Sequence, residues 1–193
     1  KKGYAVKNIN GCFDLVARKE GNILLIKVVE DPSSISDASL DEMKKLAYAL
    51  GASPIILANK SGKRLMDNVV YTRQDVFTVT SRTLSNFLRG KQIYLKSNKS
   101  GIVVDISFDK LKDLRGDSDI SIGKFSRVLG VSKGMVSKYE LGLSEISVER
   151  AKKLYDIFGE VVFEPINLFV KRINADYNVN SEISIRYNEL GFE

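Results

Sequence analysis

Histidine is absent from the chain, and cysteine occurs once, at Cys12. Without histidine the commonest acid–base catalyst and metal ligand at neutral pH is missing. Nothing is then left to activate the thiol, so Cys12 reads as a packing residue and not as a nucleophile. A lone cysteine also excludes a disulfide framework within one chain and points to a reducing compartment, the cytoplasm. No apolar run approaches the roughly 20 residues of a membrane span, and nothing resembles a signal peptide. No membrane partner, metal or cofactor is expected.

What is present is a mixed, soluble composition. A hydrophobic content of 44% and a charged content of 28% belong to a globular chain, not a disordered one. At 193 residues there is room for one large domain or two small ones with a real core. The formal net charge of +6 and the pI near 9.3 favour an acidic partner such as nucleic acid. The chain opens at Lys1 without a methionine and closes at Phe192-Glu193, so a trimmed piece of a longer protein is expected.

Periodicity divides the chain. Runs at 13–18 and 23–30 are β-rich and flank a turn containing Gly21. A helix is expected from Ser39, where Ser39 and Glu42 have capping-box spacing, with Leu40, Met43, Leu46, Ala47 and Leu50 as its stripe. The near-continuous apolar run at 54–58 predicts a strand buried on both faces. A basic turn at 60–64, strands at 69–71 and 76–79 and a short helix at 81–88 complete an α/β unit over residues 1–90. A β-hairpin connector is expected over 91–107, around 97–100. Helices are then expected from Phe108 through residue 160. A helix from Pro165 and a polar tail with a strand-like run at 183–187 would fill 161–193.

The most informative stretch runs from Ser121 to Glu140. Ser121 is a good N-cap, and Ile122, Phe125 and Leu129 form one apolar stripe. Gly130 ends the helix where a left-handed residue is cheapest, and Val131 plugs the turn. Ser132 caps a second helix, 132–140, on which Val136 and Tyr139 face inward. Gly134, Ser137 and Lys138 lie on the far side, flanked by Lys133 and Met135. That outer face is small, hydroxylic and basic, with no carboxylate before Glu140, as a helix entering a DNA major groove requires.

From Phe108 to Gly159 these residues resemble the Cro/repressor-type (XRE) helix-turn-helix domain, an all-α bundle of about five helices. The Leu-Gly-Val-Ser run at 129–132, the Val-Ser-Lys-Tyr-Glu run at 136–140 and Gly142 carry the likeness. Two positions depart from the pattern: Ile122 stands where many members have a base- or phosphate-binding glutamine, and Ser126 where a small alanine is usual. The wider chain resembles archaeal HTH-type transcriptional regulators in which a nuclease-like domain precedes such a bundle, through the segments at 12–18, 23–28, 53–58, 69–73 and 101–106. That resemblance implies a further domain beyond the bundle, starting near Leu190.

The pair of runs 13–18 and 23–28 is also similar to the core of the PD-(D/E)xK nuclease fold. In active members an aspartate and a Glu-x-Lys hold a divalent cation and a lysine around the scissile phosphate. Here Asp14 stands at the aspartate position, but the Glu and Lys positions fall on Lys27 and Val29. Glu30 is no simple substitute, because side chains alternate along a strand. The resemblance therefore implies a nuclease-like fold without catalytic or metal-binding residues, in which Asp14 can instead pair with Lys27.

The function read from the sequence is a sequence-specific transcriptional regulator that binds double-stranded DNA as a homodimer. Ser132, Lys133, Gly134, Met135, Ser137 and Lys138 would face the groove, with Met135 against a thymine methyl. Ser121, Lys124 and Arg127 on the preceding helix would meet phosphate. Clusters at Lys60, Lys63 and Arg64 and at Lys91, Lys96 and Lys99 are further basic surface. The alternatives are a resolvase-like endonuclease that uses the bundle for targeting, and a protein-interaction module that has lost DNA binding.

Overall fold

The computed structural model describes residues 3–9 and 11–169. β1 (Ala5–Asn8), β2 (Leu15–Lys19) and β3 (Asn22–Val28) form an antiparallel meander. At the β2–β3 turn Glu20 and Gly21 take φ of 50° and 80°, the left-handed backbone that matches the twist of a tight hairpin. β3 stops two residues before the expected end. Val29 N–H instead donates to Leu57 O, and the Glu30 carbonyl accepts from Asn59 and Lys60.

A 3-10 turn at Pro32–Ser34 leads to α1 (Asp37–Ala49). The cap is Ser36, not Ser39: Ser36 Oγ accepts from Ser39 N–H at 3.2 Å, which places Ser39 inside the first turn. Leu40, Met43 and Ala47 of the expected stripe are buried from α1, whereas Leu50 caps its C-terminus and is exposed. β4 (Ser53–Leu57) runs parallel to β3, with its first four residues buried. The basic turn is itself a small hairpin, β5 (Lys60–Ser61) and β6 (Lys63–Arg64). β7 (Val69–Arg73) and β8 (Val76–Val79) pair antiparallel, β8 lies parallel to β4, and α2 (Ser81–Phe87) follows.

The segment expected as a connector is built into the sheet. β9 (Leu95–Asn98) and β10 (Gly101–Val104) form a hairpin. β9 pairs parallel with β7 through Val69–Leu95 and Val70–Lys96. β10 pairs with β11 (Ile146–Ser147), which lies among the helices α3 (Phe108–Asp117), α4 (Ile122–Leu129), α5 (Lys133–Glu140) and α6 (Val148–Phe158). One mixed sheet of nine strands, in the order β1-β2-β3-β4-β8-β7-β9-β10-β11, thus passes from the α/β part into the helical part.

Two apolar patches containing α1 residues cover one face of the sheet, Cys12 among them. Leu24, Ile26, Ile55, Val70 and Leu84 pack on the other. The helical core of Leu111, Phe125, Leu129, Val136, Tyr139 and Leu154 also takes in Val104, Ile106 and Ile146. The helices are therefore closed by strand residues and not by helices alone.

The helix expected from Pro165 is absent as far as the described residues reach. Glu164 N–H donates to Asp105 O and Ile166 N–H to Ile93 O, so these amides serve the residues flanking β9 and β10 and not a helical turn. Leu168 is fully buried against the α/β core, and the Phe169 ring lies 5.0 Å from that of Phe87. The remainder of that helix and the run at 183–187 lie outside the described residues. No helix among the described residues is long and apolar enough to cross a membrane.

Candidate nucleic-acid interface

Local chemistry builds the α4–α5 unit. Ser121 Oγ accepts from Lys124 N–H and Ser132 Oγ from Met135 N–H, both at 3.2 Å, satisfying amides that a helix start leaves open. Gly130, at φ 68°, closes α4, and Val131 N–H donates to Ser126 O across the turn. Phe125, Leu129, Val136 and Tyr139 are buried, and Ile122 and Val131 pack against the same core. Ile122 thus serves packing. Ser126 is buried where alanine is usual, and its hydroxyl donates to Gly123 O at 3.0 Å. Bonding within its own helix lets the hydroxyl be buried without an orphaned donor.

The outer face carries the basic residues. Ser121, Lys124, Arg127, Ser132, Lys133, Gly134 and Lys138 are exposed, and Ser137 is half-buried with its hydroxyl on Lys133 O at 3.3 Å. Among the described residues, no carboxylate lies within salt-bridge distance of Lys124, Arg127, Lys133 or Lys138. Arg127 Nε bonds to Gly123 O. The Lys133 stem crosses Gly123, where an added Cβ would lie 3.3 Å from Lys133 Cε, so the first turns of α4 and α5 sit side by side. Met135, at the flank of this face, is half-buried and packs against the helical core.

Two charge groups escaped sequence reasoning. Arg115 on α3 forks onto the Glu140 carboxylate at the end of α5, and its Nη1 donates to Ile120 O at 2.9 Å. Their side chains are only 16% and 9% exposed, so this pair locks α5 to α3. Lys96 bridges Asp105 at 2.7 Å and Glu145 at 2.6 Å, and Asn98 also donates to Glu145. Burial works against the Lys96 charge, but the contacts with the two carboxylates together outweigh it and hold the ammonium above its ordinary range. Lys96 is thus a structural tie and not free basic surface. Arg115 and Glu140 lie 25 residues apart and Asn98 and Glu145 47 apart, and such pairings leave no mark in local periodicity.

The Asp14 position is also filled from within the chain. Lys27 Nζ lies 2.9 Å from Asp14 Oδ1 and donates to Gly11 O, while Val28 N–H donates to Asp14 Oδ2 at 2.7 Å. Glu30 lies beyond the end of β3, where it accepts from Asn59 Nδ2 and sits 3.9 Å from Lys60. Next to it, Asp31 anchors the β5–β6 hairpin by accepting from Gly62 N–H at 3.0 Å. That bond and those from Ser33 lower its carboxyl to about 2.

Residues 1–93 match the PD-(D/E)XK superfamily domain, and residues 111–161 match a helix-turn-helix domain. Proteins provisionally named HTH-type transcriptional regulatory proteins are similar along most of the chain. The one from Aeropyrum pernix is 33% identical over 94% of this chain and 58% of its own length. The one from Pyrococcus horikoshii is 34% identical over 89% and 55%, and the one from Methanocaldococcus jannaschii 33% over 94% and 60%. The chain therefore spans less than two thirds of these relatives. No solved structure matches it.

Proposed function

We propose, on the premise that the chain belongs with these archaeal relatives to one family, that it is a cytoplasmic, sequence-specific DNA-binding transcriptional regulator. In this reading residues 108–160 form the Cro/repressor-type reader, residues 1–90 the nuclease-like part, residues 91–107 the hairpin between them, and residues 161–193 a following tail. The observation that carries it is the outer face of α5. It starts from a serine cap and presents Lys133 and Lys138 with no carboxylate partner among the described residues. Lys133, Ser137 and Lys138 meet base edges or phosphate, and Gly134 lets the backbone approach closely. Ser121, Ser132 and Lys124 lie where two helix N-termini adjoin, a setting that favours phosphate, and Arg127 adds a charge from the last turn of α4. Met135 is left with a lesser role than its sequence position suggests.

An eight-residue helix reads only a few base pairs, so a homodimer on two half-sites about one helical turn, roughly 34 Å, apart completes the site. Selection of bound sequences from a random DNA pool tests the reading. A single palindromic consensus with that spacing is the expected result, and enrichment of no sequence overturns it. Binding should also weaken steeply with salt, by about 0.9 in log–log slope for each phosphate contacted.

The nuclease-like part is inferred to be catalytically silent. The superfamily implies a divalent cation held by clustered carboxylates. The residues here do not fit one. Both Asp14 oxygens are occupied, and the position across the strand pair places an ammonium where a second carboxylate would stand. Lys27→Glu sets two carboxylates against each other and removes a charge-assisted bond, an expected loss of about 1–2 kcal/mol. Thermal melts with and without Mn²⁺ check this: the variant should melt lower, and the ion should restore part of the loss. An unchanged melt would mean that Lys27 does not hold the cation's place.

A further inference from the structure

The nine-stranded sheet is split at one point. β7 and β9 pair only at Val69–Leu95 and Val70–Lys96, although β7 runs on to Arg73 and β9 to Asn98. Beyond Val70 the two strands part. A cavity of about 680 Å³ opens there, with Tyr71 and Thr72 on one side and Ser97 and Asn98 on the other. That volume is in the range of small-molecule sites.

Strand alternation shows which backbone groups face the gap. Arg73 and Val76 flank the two-residue turn of the β7–β8 hairpin, where Gln74 and Asp75 take φ of 43° and 66°. Residues flanking such a turn exchange both their bonds, so Thr72 turns its N–H and C=O away from β8 and into the gap. Asn98 and Gly101 flank the β9–β10 turn in the same way, so the Ser97 carbonyl also faces the gap. No residue of β9 is registered opposite Thr72. Outside the ladders, neither Thr72 nor Ser97 has a backbone partner among the described residues. These groups are open to a ligand.

The walls select its chemistry. The N–H and C=O of one residue, side by side, match a planar edge that carries an acceptor next to a donor, as the Watson–Crick edge of every nucleobase does. Each strand offers only one residue to the gap, too little for an inserted peptide strand. Val70 and Ile166 supply apolar surface for a ring. The wall carboxylates of Asp105 and Glu145 are both held by Lys96. Lys99, also on the wall, has no carboxylate within salt-bridge distance among the described residues. The charge without a partner is therefore a cation, which suits a phosphate and not an amine. We propose that the gap between β7 and β9 binds a mononucleotide, with its base on the Thr72 and Ser97 backbone and its phosphate on Lys99. Glu145 lines the same cavity and belongs to the loop that leaves α5, so an occupied gap is placed to alter DNA binding. That consequence, unlike the site itself, rests on the DNA-reading assignment.

The test uses the full chain without DNA. Calorimetric titration with AMP, GMP, CMP and UMP in turn should find binding by at least one of them. The matching nucleoside and inorganic phosphate should each bind at least about tenfold more weakly. Lys99→Ala should weaken nucleotide binding by about tenfold or more with an unchanged melt, since the side chain is exposed. Thr72→Pro removes an N–H that β8 does not use and should have the same effect; Lys99→Ala decides the matter if that variant fails to fold. Lys133→Ala with Lys138→Ala should bind the nucleotide as the parent does. Binding of none of the four overturns the proposal. So does binding that inorganic phosphate equals, the mark of an adventitious ion only, and so does binding that survives Lys99→Ala. Nucleotide binding that meets these expectations in a chain that binds no DNA upholds the site and sinks only the DNA reading.

Discussion

Replacing Lys133 and Lys138 together by alanine is expected to abolish specific DNA binding while leaving the fold intact. Both side chains are exposed and lack a carboxylate partner among the described residues. Surface changes of this kind usually move stability by no more than about 0.5 kcal/mol. Each well-placed contact to a base edge is worth about 1–3 kcal/mol of discrimination, so losing two would lower the specific affinity by about 30-fold to 10⁴-fold. The measurement is a titration of a selected operator against a scrambled duplex, alongside a thermal melt. Retained preference for the operator with an unchanged melt would remove α5 as the reading element.

The opposite pattern is expected of Arg115→Ala, which should be the most destabilising single change among the charged residues discussed. Glu140 is 9% exposed and would be left inside the protein without its cation. Removing one member of a buried pair costs about 3–5 kcal/mol, mainly through the charge left behind. The carbonyl of Ile120 would lose its donor as well. Chemical denaturation should report that loss directly. The double change Arg115→Met, Glu140→Leu should recover much of it, because no charge then remains to be desolvated. DNA binding should fall with stability in the single variant and return in the double one. A single variant as stable as the parent would show that the pair does not anchor α5.

The two variants separate what a helix displays from what holds it in place, and that division also describes what could be read from the residues. The serine caps, the glycine stop and the Phe125–Leu129–Val136–Tyr139 core are written within a few residues of one another. Hydrophobic spacing and cap chemistry act at that range. The meander, the doubly covered β4 and the place of Asp14 opposite Lys27 were legible for the same reason. Errors arose where two nearby residues could do the same job. Ser36 and Ser39 are both acceptable caps, and the backbone of the first turn chose between them.

Other errors arose where a segment's partners lie far along the chain. Pro165 has the form of a helix start, yet Ile93 and Asp105 take the amides around it, and Leu168 finds its apolar surroundings in the α/β core. Lys96 looked like loop charge until Asp105 and Glu145 were brought to it. By itself the sequence determined the order of α/β and helical parts and the helix pair at 121–140 with its basic outer face. Tertiary structure alone decided that β9, β10 and β11 carry one sheet into the helices, that Arg115 clamps α5, and that Met135 packs in part against the core. Local periodicity records which way each residue faces on its own element, whereas pairing between distant segments is settled only when the whole chain competes for the same donors and the same apolar surface.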